Sequence, residues 1–280
     1  MTTTTSSDIT SLGIIAGNGK YPFTLVECAR AAGVSKIVVS AFENETDPAL
    51  AGLVDEIEWM RVGQLGRLIR FFETRKVTHA MMAGQIAPGN LFDLRPDVKA
   101  LLLLAKLRKR NAESIFGAIA DELAKGGVEL LPAITFVEEH LAKPGVFAGP
   151  KLARKEEEDV QFGFQIAKEI SRLDIGQTVV VKGGTVLAVE GFDGTNATIK
   201  RGGELGRKES VVVKVSKPNQ DFRFDVPVIG PATLDVAAAA NIRVIGVEAE
   251  RTLILERERV SKQAAAQKIS LVGIENSPLG

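Results

Sequence analysis

The chain has 280 residues, 45% of them hydrophobic and 5% aromatic, and its 35 basic and 35 acidic side chains cancel. That length exceeds what one core usually fills and favours two domains, while zero net charge gives no general attraction for nucleic acid or an anionic membrane. The single cysteine, Cys28, excludes an intramolecular disulfide and a cysteine-based zinc site.

The opening residues, MTTTTSSDITS, lack the basic start and apolar centre of a signal peptide. No run reaches the roughly 20 apolar residues of a spanning helix, so a soluble, cytoplasmic protein is expected. Residues 12–16 (LGIIA) read as a buried strand, followed by Gly17-Asn18-Gly19 and a helical stretch from about Pro22 to Ala32. Gly33 caps that stretch and KIVVSAF gives a second strand. This β-turn-α-β unit implies a parallel sheet and a Rossmann-like half. A glycine turn entering a helix can accept phosphate on its free N–H groups, which makes Gly17 and Gly19 substrate-binding candidates. The spacing GxxxGxG differs from the dinucleotide fingerprint GxGxxG, so NAD is weakly supported and an empty tight turn is the other reading. Cys28 lies in helical surroundings, where a buried inert thiol is expected.

EIEWM continues as a strand, QLGRLIRFFETRK as a helix and VTHAMMAG as a strand carrying His79. His79 and His140 are isolated from one another in sequence and give little support to a zinc site or a Ser–His triad. Gln85 follows the strand at the carboxyl edge, where open α/β sheets bind ligands; Pro88, Gly89 and Asn90 could form a lip there. Residues 97–110 (DVKALLLLAKLRKR) combine consecutive leucines with Lys106, Arg108, Lys109 and Arg110. They suit either a core helix with cations at its carboxyl end or an apolar, basic-ended helix meeting an acyl chain or a membrane surface. SIFGAIADELAKGG reads as an amphipathic helix, and VELLPA closes the first sheet.

The glycines and prolines of 141–151 read as a linker, dividing the chain into an N-terminal domain at 8–140 and a C-terminal α/β domain at 152–280. The run Glu156–Asp159 reads as the solvated first turn of the next helix. Past Gly176 the texture is β, with strands at 178–182 and 184–190 joined through Gly183-Gly184 as a hairpin. A polar turn, GFDGTN, carries Asp193, Thr195 and Asn196. ESVVVKVSKP then delivers a strand into Lys217-Pro-Asn-Gln-Asp-Phe-Arg-Phe-Asp-Val-Pro-Val-Ile-Gly230. There, polar and aromatic residues alternate from Asp221 to Asp225, which places Asp221, Arg223 and Asp225 on one edge of an extended chain. Two carboxylates with Lys217 and Arg223 suit a cation bound together with phosphate. A surface strand whose Asp–Arg–Asp triplet pairs with itself fits the same residues equally well.

LGIIAGNGKYP, VVVKGGTVLAVEGFDGTN and KPNQDFRFDVPVIGPAT, in that order, resemble the metal-dependent UDP-2,3-diacylglucosamine pyrophosphatases of lipid A biosynthesis, the LpxI type found in Gram-negative bacteria without the calcineurin-like enzyme. The likeness covers almost the whole chain after the first ten residues. It implies a Rossmann-like N-terminal domain, a distinct C-terminal α/β domain and a lipid substrate held between them. The implied reaction is Mg²⁺-dependent hydrolysis of UDP-2,3-diacylglucosamine to UMP and 2,3-diacylglucosamine 1-phosphate (lipid X). The essential aspartate of the family pattern DxRFDxP falls on Asp225. Asn196 stands where the family commonly has aspartate, and Asn111-Ala112-Glu113 replaces a GDD-like turn.

On this reading Asp225, with Asp221 or Glu190, holds Mg²⁺ and positions water, while Lys217, Arg223 and Lys182 grip the pyrophosphate. Thr195 and Asn196 line the site. Peripheral contact with the inner membrane and a homodimer remain open, and nucleic acid is not expected. The rivals are a non-catalytic nucleotide or sugar-phosphate binding protein and an NAD-dependent reductase.

Overall fold

The computed structural model describes residues 8–86, 96–108, 112–218 and 220–275. The chain divides into two compact units. The first takes the residues up to Val137 together with Asp221–Asp225; the second takes Glu138–Gln220 and Val226 onward.

In the first unit the order is β1 (Ser11–Ala16), α1 (Tyr21–Ala31), β2 (Lys36–Phe42), β3 (Glu56–Met60), α2 (Leu65–Thr74), β4 (His79–Ala83), α3 (Val98–Lys106), α4 (Ala112–Lys125) and β5 (Glu129–Leu130). The strands form one sheet in the order β3-β2-β1-β4-β5, and every pairing is parallel. The Rossmann-like half expected from the glycine turn is therefore present. Strand β1 is buried along nearly its whole length, as an interior parallel strand requires. Its core includes Ile15, Val38, Leu68, Phe72 and Leu123, drawn from the sheet, α2 and α4. Fully burying a side chain of this size contributes about 1.5–3 kcal/mol.

The second unit contains β6 (Gly145–Ala148), α5 (Arg154–Arg172), β7 (Thr178–Lys182), β8 (Thr185–Val189), α6 (Gly194–Gly206), β9 (Ser210–Lys214), β10 (Val228–Ile229), α7 (Pro231–Ala239), β11 (Ile242–Glu248), β12 (Leu253–Ile254), α8 (Arg257–Gln267) and β13 (Ser270–Ile274). Its main sheet runs β13-β11-β9-β7-β8. β7 is antiparallel to both neighbours and the remaining pairs are parallel, giving a mixed sheet. Alternate side chains sort to opposite faces. Val179, Val181, Val211 and Val213 pack with Val160 and Phe164 of α5, whereas Val180 and Val212 pack with Ile199, Leu234 and Val260 of α6, α7 and α8.

Three local expectations change. The stretch 141–151, read as a linker, contains β6, and Pro144 bridges Gly273 of β13. The supposed solvated run 156–159 turns partly inward. Asp159 is buried, and its carboxylate accepts the Gly183 and Gly184 N–H groups at 2.7 and 2.8 Å, fixing the β7–β8 hairpin turn. Cys28 is half-buried rather than buried. Among the described residues no helix is long and apolar enough to cross a membrane.

Candidate functional site

In the first sheet the strand order reverses between β1 and β4, the place where open α/β sheets leave a crevice at their carboxyl ends. Gly17-Asn18-Gly19 leaves β1 there and Gly84-Gln85 leaves β4. The two loops pair directly: Asn18 N donates to Gln85 O at 2.8 Å and Gln85 N to Asn18 O at 3.2 Å. A Cβ on Gly17 would fall 2.4 Å from Gln85 O, so only glycine permits this approach. Gly17 and Gln85 are thus brought together by backbone packing. Gly19 differs: it lies at φ +93° with open space around its Cα. Asn18 Nδ2 donates to buried Glu45 at 2.7 Å, a partner 27 residues away that no local pattern announces.

Asp221–Asp225 is a turn, which overturns the extended reading. Asp225 N donates to Asp221 O at 3.1 Å and Phe224 N to the same oxygen at 3.2 Å. Such closure within five residues replaces pleat alternation with a single helical turn. Arg223 folds back on Asp221, with Nη2 at 2.6 Å from Oδ2 and Nε at 3.0 Å from Oδ1. This two-pronged pair matches the self-pairing alternative for these two residues. The guanidinium holds the Asp221 carboxyl below the usual carboxylate range, against partial desolvation. Asp221, and more weakly Asp121, push Arg223 upward. The aromatics anchor the turn: Phe224 lies 5.4 Å from the Phe116 ring of α4, and Phe222 O accepts Ala133 N at 2.6 Å. Ala133 O in turn accepts the Tyr21 hydroxyl at the start of α1.

In the second unit, Ser216 is clamped immediately before this stretch. Fully buried Glu248 accepts the Ser216 N–H at 2.8 Å and its hydroxyl at 2.6 Å. Lys168 Nζ donates to Ser216 O at 3.0 Å and lies 3.2 Å from Glu248. All three polar groups of Ser216 are thereby held, fixing the exit direction of Lys217. Its ammonium pairs with Asp174, and its backbone N–H donates to Gln220 Oε1 at 2.6 Å. The clamp was not foreseen. Its only sequence signal is an acid ending the apolar strand IRVIGVE.

The other candidates in this unit serve a helix. GFDGTN, read as a turn, leads into α6, with Gly194, Thr195 and Asn196 in its first turn. Glu190 is buried and accepts Thr195 Oγ1 at 2.8 Å and Gln177 N at 3.2 Å. Asn196 is exposed. Asp193 pairs with Arg201, which holds its carboxyl low. At the far end, Lys182 donates to the Gly206 and Lys208 carbonyls at 2.9 and 2.7 Å, bracing the turn that follows α6.

Among the described residues no group of three or more His, Cys, Asp or Glu side chains gathers as a metal cage. Asp221 and Asp225 place two carboxylates in one turn, and both oxygens of Asp221 are engaged by Arg223. His79 has Thr78 Oγ1 at 3.0 Å from Nδ1 and belongs to no such group. A cavity of about 840 Å³ runs along α2, α3 and α4, lined by Ile69, Leu102, Leu103 and Ala118 with a charged rim, and none of the proposed site residues lines it. Pro88, Gly89, Asn90, Lys109, Arg110 and Asn111 lie outside the described residues.

Comparison with known proteins matches residues 11–140 to a family model described as the LpxI N-terminal domain. Residues 143–272 match the LpxI C-terminal domain. The UDP-2,3-diacylglucosamine pyrophosphatase LpxI of Caulobacter vibrioides is 31% identical over 275 residues, covering 94% of this chain and 97% of that protein. Among solved structures, the biotin carboxylase subunit of pyruvate carboxylase aligns with a TM-score of 0.27 and 14% identity over 66% of this chain and 36% of that one, too slight a likeness to carry an argument.

Proposed function

The chain belongs to the LpxI family, and from that premise we propose that it hydrolyses UDP-2,3-diacylglucosamine at its pyrophosphate, a step of lipid A biosynthesis. The observation that carries this reading is a 31% identity running through nearly the full length of both proteins. We infer UMP and 2,3-diacylglucosamine 1-phosphate as the products. Water oxygen adds to one phosphorus, the bridging P–O bond breaks, and the bridging oxygen leaves with the other phosphoryl group.

The chemical difficulty is charge, since the attacking oxygen must approach a diphosphate that repels it. Bound Mg²⁺ would neutralise phosphate oxygens and polarise the phosphorus. Asp225, assisted by Asp221, is the residue set proposed to hold it. Asp225 also accepts a hydrogen bond from the attacking water and orients it. The fixed turn supports this role, because Phe222 and Phe224 hold the backbone on either side of Arg223 and limit reorganisation during reaction. Arg223 presents a bidentate donor surface and exchanges part of its pairing with Asp221 for phosphate oxygens. Lys217 supplies a second cation, aimed by the Ser216 clamp. Within the second unit, the first turn of α6 presents backbone N–H groups and the Thr195 hydroxyl, donors of the kind that suit an anion. Glu190, which already accepts Thr195 Oγ1 and Gln177 N, is proposed to orient Thr195 instead of holding Mg²⁺, and Lys182, which donates to the Gly206 and Lys208 carbonyls, to brace the other end of that helix instead of gripping the pyrophosphate.

The test is incubation with UDP-2,3-diacylglucosamine and Mg²⁺, following UMP and the sugar phosphate by chromatography and mass spectrometry. Equal release of both, lost with chelator and restored by Mg²⁺, supports the proposal. Binding without either product overturns it in favour of a binding protein.

A further inference from the structure

Helix α3 presents its apolar residues in an unusual direction. Ala100 and Leu103 face inward, as core positions should. Yet Val98, Leu101, Leu102 and Ala105 are exposed, at 72%, 52% and 59% for the three large residues. Their spacing of i, i+3, i+4 and i+7 makes one stripe along the helix. Of nine exposed large hydrophobic residues among those described, three lie on this single short helix. Lone exposed apolar residues are ordinary, but a continuous stripe marks an interaction surface.

The charges beside the stripe select the partner. Lys99 and Lys106, seven apart, flank it on one side, and Arg108 follows the carboxyl end. No acidic side chain interrupts α3; of the acids Glu73, Asp121 and Glu122 that share with Val98, Lys99, Leu102 and Lys106 the cavity along α2, α3 and α4, Glu122 is paired with Lys99 and Lys125. Asp97, just before it, is committed to the helix start: its carboxylate accepts Ala100 N at 2.9 Å and Gly66 N at 2.7 Å, tying α3 to the first turn of α2. Lys99 lies 3.3 Å from Glu122 of α4, a second tie. The stripe is therefore carried on an anchored helix, with cations beside it where lipid phosphates would lie.

We propose that α3 docks the protein on an anionic bilayer, its stripe entering the boundary between headgroups and acyl chains while Lys106 and Arg108 meet lipid phosphates. The purpose assigned to this docking rests on the substrate reading above, since a diacylated substrate resides in a lipid surface and an enzyme acting on it gains by working there.

The test is sedimentation of the full chain with vesicles of phosphatidylcholine alone or mixed with phosphatidylglycerol. Expected is pelleting with the mixed vesicles, weakened by added salt. Leu101→Ser combined with Leu102→Ser should lower partitioning about tenfold or more, with unchanged thermal unfolding and unchanged hydrolysis of detergent-dispersed UDP-2,3-diacylglucosamine. Lys106→Glu should weaken binding to the mixed vesicles alone and serves as an independent arm if the serine pair disturbs folding. The proposal is overturned if the unaltered protein stays in the supernatant, or if the variants pellet as it does. It is equally overturned if the stripe instead closes a dimer, seen as a dimer in gel filtration that the serine pair converts to monomer without vesicle binding. Pelleting of a protein that releases no UMP would leave the docking intact and remove the reaction.

Discussion

Glu248 accepts two hydrogen bonds from Ser216, one from the backbone N–H at 2.8 Å and one from the hydroxyl at 2.6 Å. The acceptor is fully buried, and Lys168 supplies its countercharge. Removing one partner of a buried pair leaves the other uncompensated, at a typical cost of several kcal/mol. Glu248→Ala is expected to lower stability by about 3 kcal/mol, moderated by the partial exposure of Lys168. Because Ser216 aims Lys217, the milder Glu248→Gln should depress kcat more than it raises KM. Chemical denaturation and steady-state UMP release check the two parts, and a Gln variant with normal kcat removes the positioning role.

Asp225 is the carboxylate on which the proposed chemistry depends. Asp225→Ala should abolish UMP release, and its backbone hydrogen bond to Asp221 O does not need the side chain. Appreciable turnover in this variant would transfer the role elsewhere.

The Asp221–Arg223 pair gives a pH signature. The folded-state pKa of Asp221 is depressed, chiefly by the Arg223 side-chain hydrogen bond, so the pair stabilises the native state above the unfolded value of about 3.9. That contribution fades as pH falls through the lower folded value. Arg223 is more than a third exposed, at 38%, so solvent reduces the effect to about 0.5–1 kcal/mol. Arg223→Gln should therefore destabilise the protein near neutral pH by that amount and have little effect in strong acid. Denaturant midpoints measured across this range test the claim; a difference that grows on acidification contradicts it.

Two glycines should respond differently to alanine. At Gly202 the new Cβ would sit 2.4 Å from Val180 Cβ in the α6–sheet contact, and the expected loss is about 1–3 kcal/mol of stability with KM unchanged. At Gly17 the clash is with the backbone oxygen of Gln85, so the pairing of the two loops must open. Gly17→Ala should therefore impair substrate use in addition to stability. Equal KM values for the two variants would count against a binding role for the β1 loop.

The parallel first sheet was legible because LGIIA, a glycine turn, a helix and KIVVSAF follow the local order of a βαβ unit. The turn at 221–225 was misread because DFRFD alternates as a strand does, while the hydrogen bond from Asp225 N to Asp221 O depends on closure that alternation does not encode. Helix α6 was hidden by its glycines, which lower helix propensity. Gly202 and Gly203 are required there by tertiary packing against Val180 and Ala240. Glu248 and Ser216 stand 32 residues apart, and Asn18 and Glu45 stand 27 apart. Such pairs become neighbours only once the sheets have formed.

The grouping of Asp221–Asp225 with residues before Val137 also governs how the polypeptide can be cut. A fragment ending at Val137 would lack the piece that seats Phe224 on Phe116, and one beginning at Glu138 would carry five residues foreign to its own unit. The halves are therefore not interchangeable cassettes: a single break in the gene yields one incomplete product and one burdened product, never two whole ones.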